Sequence, residues 1–357
     1  MRLFVTGISG FIGGHFAKHA ARAGHEIVGL LRPPTNGAGG IPPAGVATRH
    51  GDILDPGSLA TALDGADCVC HFAAAFKEAH ADEQYFYRVN VVGTANLLAA
   101  AAEAGVKRFV LCSTAGIYGR RVNGVIDETH APQPWNAYER SKLSAEEEVR
   151  RGAAAHGMEY VVLRPTAVYG PGDRRLAKLF RNAARGRFPL FGNGDGRRHM
   201  VYVADLAEAF LLACTRPDAA NQEMIVAGPE AVPLRELLQT LAILANRTSS
   251  GPRLPLKPML ALAALTEDVC RLLNIQPPLH RRRMDFYLND AAFDCARARE
   301  VLEWEPKVSL RDGLAATLNA ESLGSTPSAL AHGSVWLGEA LLLGAILDAA
   351  GTRHLLG

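Results

Sequence analysis

Apolar positions along this chain follow two periods. Short unbroken runs, among them Leu3-Phe4-Val5, Glu26 to Leu31, Cys68 to Phe72 and Arg108 to Cys112, alternate with longer stretches in which apolar residues recur every three or four positions. Strands buried on both faces give the first pattern, and helices covering such a sheet give the second. The rhythm predicts a first helix ending near Gly24, a short third strand before Gly51-Asp52, a helix over Ser58 to Leu63, a helix carrying Asn90 to Thr94, and a strongly helical stretch opening at Tyr138. Strands and helices alternating in this way imply an α/β fold with a doubly wound parallel sheet. Pro33 to Gly45 has no apolar period and reads as a loop. From Asp173 onward the alternation breaks, and Pro189 to Gly196 is turn-rich.

Composition narrows the class. With 357 residues, 48% of them hydrophobic, the chain is long enough for two packed units or for one α/β domain with an elaborated C-terminal half. A formal net charge of +2 gives no reason to expect nucleic acid or an acidic membrane as the main partner. Six cysteines without framework spacing, and no leader ahead of the first strand, fit a reduced cytoplasmic compartment. Cys68-Val69-Cys70-His71 lies in a strand run whose alternate residues face opposite ways, so it reads as buried thiols and no metal site is expected.

Chemistry enters at the strand ends. Gly7, Gly10 and Gly13 stand between the first strand and the first helix, where they permit a tight turn, a diphosphate close to the backbone and a helix packed near its strand. This is the arrangement of a dinucleotide site. At the end of the second strand, where an acidic residue would hold the adenosine ribose of NAD, stand Leu31 and Arg32, which favours NADP(H) and keeps NAD(H) as the alternative. Asp52 could accept a hydrogen bond from an adenine amino group or cap the next turn. Ala73-Ala74-Ala75 is small enough for a cofactor to lie against. Thr114 follows the fifth strand at its carboxyl end, where ligands gather in such sheets. Tyr138 and Lys142 share a helix face at i and i+4. An ammonium beside a phenol favours the phenolate, so Tyr138 can exchange a proton with a hydroxyl while Thr114 holds the same oxygen.

These residues resemble the extended short-chain dehydrogenase/reductases, the group of nucleotide-sugar epimerases and dehydratases, 3β-hydroxysteroid dehydrogenases and dihydroflavonol-type reductases. The resemblance runs from Thr6-Gly7-Ile8-Ser9-Gly10-Phe11-Ile12-Gly13 through Asn90-Val91-Val92-Gly93-Thr94, Ser113 to Gly119, Tyr138 to Lys142, Leu163-Arg164-Pro165 and Val201 to Asp205 to Leu302-Glu303-Trp304-Glu305-Pro306. It implies a Rossmann-type domain over 1–170, a smaller C-terminal substrate domain over 171–318 interleaved with it, and an extension over 319–357 outside the family pattern. It implies Thr114, Tyr138 and Lys142 as the catalytic set, with Lys142 also at the nicotinamide ribose. Phe11 and Ile12 are implied at the diphosphate, Asp52 and Ile53 at the adenine, Ala73 beside the ribose, and Pro165 and Val168 near the carboxamide. A homodimer through Asp82 to Glu103 and Tyr138 to Ala155 is a further implication.

Departures from the family pattern bear on substrate. The dehydratases carry an Asp-Glu pair where this chain has Ala115 and Gly116, which argues against dehydration. Epimerases usually place an Asn near Ala167, which argues against a sugar nucleotide, whereas Arg198 and Arg281-Arg282-Arg283 stand near positions used for phosphate. Thr114, Ala167 and Arg198 are therefore the expected substrate contacts. Leu254 to Leu279 combines prolines with apolar helix-like segments that read first as core packing and otherwise as a wall for a hydrophobic substrate. Val335 to Leu347 is too short to span a bilayer; it is expected to pack on the body or on a second subunit ahead of lying on a membrane surface. The expected function is an alcohol/ketone oxidoreductase of a small-molecule substrate. The alternatives are a nucleotide-sugar epimerase with retained NAD and a non-catalytic nucleotide sensor.

Overall fold

The computed structural model describes residues 1–33, 40–76, 82–119, 124–173, 176–272 and 287–323. It begins with β1 (Arg2–Thr6), α1 (Phe11–Arg22), β2 (Glu26–Leu31), β3 (Ala47–His50) and a short α2 (Pro56–Leu59). After β4 (Cys68–His71) comes a long helical run made of α3 (Glu83–Tyr87), one wider π-type turn (Arg88–Val92) and α4 (Gly93–Glu103). Then follow β5 (Arg108–Cys112), α5 (Ala137–His156), β6 (Glu159–Pro165), β7 (Ala167–Tyr169), α6 (Ala177–Ala184) and β8 (Leu190–Phe191). The later part holds β9 (Arg197–Tyr202), α7 (Val203–Thr215), β10 (Gln222–Val226), β11 (Ala231–Pro233), α8 (Leu234–Leu244), β12 (Arg253–Leu254) and α9 (Leu256–Leu272). Helices Ala296–Leu302 and Leu310–Leu323 complete it.

Seven strands form one parallel sheet in the order β10-β6-β5-β4-β1-β2-β3. Strand alternation feeds two cores, because successive side chains leave opposite faces. Leu3 and Val5 join Phe16, Ala17, Leu206 and Phe210 on the side of α1 and α7, whereas Phe4 joins Leu97, Leu98, Val149 and Phe109 on the side of α4 and α5. The sheet is thus covered on both faces, as its unbroken apolar runs require. Its order reverses between β1 and β4, which places the ligand crevice at their carboxyl ends.

The strands lie where the apolar runs put them, with β4 ending one residue early at His71. The helix expected over Ser58 to Leu63 begins earlier and is shorter, because Pro56 takes the first helical position and the Asp55 carboxylate accepts from the Gly57 N–H at 3.1 Å. Residues beyond 170 contribute to the large sheet and its cover: the chain leaves it after β6, α7 packs on α1, and β10 pairs with β6 at its edge. Outside that sheet, β7, β9 and β11 form a small sheet whose core includes Tyr169, Phe180, Met200, Leu237, Leu238 and Leu314. Arg281-Arg282-Arg283 and Val335 to Leu347 lie outside the described residues, and the last helix runs on to Leu323, past 318. Met259 and Leu260 of α9 pack with Phe191, Ala263 and Tyr287. No helix among the described residues is long and apolar enough to cross a membrane.

Cys68 and Cys70 leave one face of β4 together and meet Cys214 of α7, with all three sulfur atoms within 4.8 Å of one another inside the α1/α7 core. The third thiol lies 144 positions beyond Cys70, so spacing along the chain does not reveal it. On the other face, α5 is fastened to the sheet by buried charge. Glu146, fully buried, receives the Arg164 guanidinium in a fork, with Nε to Oε1 at 3.1 Å and Nη2 to Oε2 at 2.7 Å. Arg164 also donates to the Tyr118 hydroxyl at 2.8 Å and pairs with Glu223 of β10. Breaking such a pair leaves a carboxylate in the core with most of its hydration gone. Arg164→Met is expected to lower the unfolding free energy by about 3–5 kcal/mol in denaturant titration. The double variant Arg164→Met/Glu146→Leu should recover part of that loss, because neither charge then remains.

Candidate active site

A cavity of about 580 Å³ opens at the carboxyl ends of the central strands. The turn after β1 forms one wall. Gly7 has φ of +68°, and a Cβ there would lie 2.7 Å from the backbone of Phe72 and Ala73. A Cβ on Gly13 would lie 2.4 Å from the Gly7 carbonyl oxygen. Both positions demand glycine, and the result is a bare backbone turn leading into α1. Gly10 caps that helix without a side-chain hydrogen bond, so the first-turn N–H groups face the cavity wall that Gly10, Phe11, Ile12 and Gly13 make. The turn suits a phosphate group close to the backbone.

The opposite wall comes from β5, β6 and α5. Thr114 leaves the end of β5, and its Oγ1 accepts from the Gly116 N–H at 3.1 Å, which leaves the hydroxyl proton for an oxygen in the cavity. Asn136 caps α5: its Oδ1 accepts from the Glu139 N–H at 2.9 Å, while Glu139 accepts from Asn136 Nδ2 and the Trp135 N–H, each at 2.7 Å. This cap puts Tyr138 in the first turn of α5, where the helix dipole favours a phenolate. The Tyr138 ring meets the edge of Phe76 at 4.8 Å between centroids and 76° between planes. One turn further, Lys142 is 1% exposed. Burial pulls its pKa below the usual lysine value, with Cys112 and Glu146 opposing.

Of the residues expected from sequence, Gly7, Gly10, Phe11, Ile12, Gly13, Thr114, Tyr138, Pro165, Ala167, Val168 and Arg198 all line this one cavity. Arg32 stands exposed just beyond β2. Asp52 holds the turn that follows β3: its Oδ1 accepts from the Leu54 N–H at 2.9 Å. Ile53 is buried against Gly93 of α4, and its carbonyl accepts from Asn96 at 3.0 Å. Ala73 donates its N–H to Thr6 Oγ1 at 3.2 Å. Arg198 is drawn into the structure itself, because its Nη1 donates to the carbonyls of Gly196, Arg197 and Asn289. Burial lowers its pKa to about 10. The described part of α9 does not line the cavity; further apolar lining comes from Phe72, Phe76, Leu176, Ala291 and Phe293.

Sequence reasoning passed over Ser113 and Thr166. Both hydroxyls line the cavity, both are buried, and neither has a hydrogen-bond partner among the described residues. Each follows the carboxyl end of a strand, so the rule that singled out Thr114 applied to them as well. Unpaired buried hydroxyls beside a bare glycine turn are what a bound polar ligand would satisfy. His71 was also passed over. Its Nδ1 lies 2.6 Å from Thr6 Oγ1 and its Nε2 lies 3.0 Å from Thr94 Oγ1. Thr94 spends its own proton on the Asn90 carbonyl at 2.6 Å, so it accepts from His71 Nε2–H, and Thr6 donates to Nδ1. Burial, with the Lys142 ammonium nearby, pushes the His71 pKa down to about 3.

The family described as the NAD dependent epimerase/dehydratase family matches residues 3–228. The chain is similar to a 2-alkyl-3-oxoalkanoate reductase of Stenotrophomonas maltophilia, at 29% identity covering 88% of this chain and 97% of that protein. It superposes on the UDP-glucose 4-epimerase of Thermotoga maritima solved with UDP-glucose, at TM-score 0.73 and 25% identity, covering 90% of this chain and 99% of that one. A UDP-glucose 4-epimerase of Thermus thermophilus in complex with NAD gives TM-score 0.71 and 25% identity over 91% of this chain and 100% of that one.

The neutral His71 has a consequence for stability. Its folded pKa of about 3 lies below an unfolded value of about 6.5, so the unfolded chain binds more protons between those limits and stability falls as pH drops through them. Between pH 7 and pH 5, denaturant unfolding of the unaltered protein should lose about 2 kcal/mol more than that of His71→Gln.

Proposed function

Because the chain belongs to the NAD dependent epimerase/dehydratase family, the extended short-chain dehydrogenase/reductases, we propose that it works as an NAD(P)-dependent oxidoreductase interconverting a secondary alcohol and a ketone. The observation that carries this reading is that Tyr138 and Thr114 open onto the same cavity as the bare glycine turn. The turn would hold the diphosphate of the cofactor through the backbone of Gly7 to Gly13, with Pro165 and Val168 towards its nicotinamide end. When bound, the nicotinamide supplies or takes the hydride. Tyr138 gives its phenolic proton to the carbonyl oxygen in reduction and recovers a proton from the hydroxyl in oxidation. Thr114 donates to the same oxygen and fixes its position. Lys142, buried one turn below, stabilises the phenolate by its charge, and the helix N-terminus adds to this.

We assign a preference for NADP(H) to Arg32, whose exposed guanidinium at the end of β2 suits a ribose 2′-phosphate. For the substrate, Ala115, Gly116 and Ala167 supply none of the side-chain acids or amides that dehydration or a sugar diphosphate calls for. Phe72, Phe76, Leu176 and Phe293 offer an apolar lining. A ketone with an apolar carbon chain fits, and the Stenotrophomonas relative makes a 2-alkyl-3-oxoalkanoate the first compound to assay.

Tyr138→Phe is expected to cut kcat at least about 100-fold while the dissociation constant for NADPH stays within about threefold. In Lys142→Met the loss of the cation raises the tyrosine pKa, so the acid limb of the pH profile for alcohol oxidation should move up by about one unit or more. Unchanged turnover in Tyr138→Phe would refute the assignment.

A further inference from the structure

The polar side chains around His71 belong to one continuous run of hydrogen bonds from the glycine turn to the first turn of α5. Thr6, which precedes Gly7, accepts from the Ala73 N–H and donates to His71; His71 donates to Thr94; Thr94 donates to the Asn90 carbonyl. Asn90 sits in the π-type turn, where its Oδ1 accepts from the Ala75 N–H at 2.7 Å and its Nδ2 donates to Ser141 Oγ at 2.9 Å. Ser141 in turn donates to the Tyr138 carbonyl at 2.7 Å. Each hydroxyl in the run accepts one bond and donates one, so its direction is fixed throughout. All of Thr6, His71, Asn90, Thr94 and Ser141 are buried. The segment that follows β4 is held at Ala73 by Thr6 and at Ala75 by Asn90, and it carries Phe76 against the ring of Tyr138.

We propose that the His71–Thr94 hydrogen bond is a positioning link that sets Tyr138 relative to the cofactor-binding turn. The proposal rests on Tyr138 acting as the proton donor. Neither His71 nor Thr94 lines the cavity, so both act through other groups. The glycine turn fixes where the cofactor lies, and the run of bonds transfers that position to the helix carrying the phenol. A small displacement of a catalytic group is costly in rate while leaving binding nearly intact. Cutting the link should therefore appear in kcat and not in cofactor affinity.

The test compares Thr94→Val, which keeps the shape and removes both bonds, with Thr94→Ser, which keeps the hydroxyl and removes a methyl. Steady-state reduction of a 2-alkyl-3-oxoalkanoate by NADPH is measured alongside NADPH dissociation constants. Thr94→Val should lose about tenfold or more in kcat with the NADPH constant changed less than about threefold, and Thr94→Ser should stay within about threefold of the unaltered protein. Ser141→Ala, at the far end of the run, should show the same split and serves if Thr94→Val does not fold. Thr94→Ser impaired as much as Thr94→Val would reduce the residue to packing and overturn the link. So would full kcat in both Thr94→Val and Ser141→Ala when Tyr138→Phe is inactive. An active Tyr138→Phe would instead remove the reading on which the proposal rests.

Discussion

The turn after β1 lies against the end of β4 so closely that a single added carbon at Gly7 would collide with the backbone of Phe72 and Ala73. That approach joins the two strands between which the sheet order reverses. It leaves the backbone N–H groups at the start of α1 facing the cavity. It also brings Thr6 within reach of both His71 and Ala73. The bare backbone turn, the sheet crevice and the buried polar run all meet at this contact.

A second arrangement depends on it. α5 carries Tyr138, the proposed proton-transfer residue, in its half-buried first turn and is fastened to the sheet by buried groups further along. Its cap comes from Asn136 and Glu139, its first turn is held through Ser141, and its middle is tied to β6 by Glu146 and Arg164. These groups do different work. The Glu146–Arg164 pair secures the helix against the sheet, while the bonds through Ser141 and Asn90 fix where its N-terminus stands relative to the glycine turn. The Lys142 ammonium lies between the two sets, with Glu146 supporting its charge against the cost of burial.

Much of this was readable from the chain because buried parallel strands are unbroken apolar runs, and β1, β2 and β5 fall where Leu3, Ile27 and Phe109 place them. The glycine turn and the Tyr138/Lys142 spacing were legible because each is local, fixed by backbone geometry or by helix periodicity. What stayed hidden is long-range. β10, a strand of five residues, stands well beyond the broken alternation, and its pairing with β6 returns it to the large sheet. Cys214 meets Cys70 across 144 positions. His71 read as one more residue of an apolar strand, since its partners Thr6 and Thr94 are 65 positions before it and 23 after it. Asp52 was ambiguous for a different reason, as a carboxylate after a strand serves a turn or a ligand equally well.

Net hydride transfer calls for a cofactor that exchanges each turnover, whereas epimerisation keeps its cofactor and returns the hydride to the same substrate. The most direct measurement is to release and identify the nucleotide carried by the purified protein, then titrate the stripped protein with NADPH and NADH. Weakly held nucleotide, with NADPH bound at least about tenfold more tightly than NADH and that preference lost in Arg32→Ala, is the result expected. Stoichiometric NAD⁺ that survives purification, with no preference for the 2′-phosphate, would contradict it and make an epimerase the better reading.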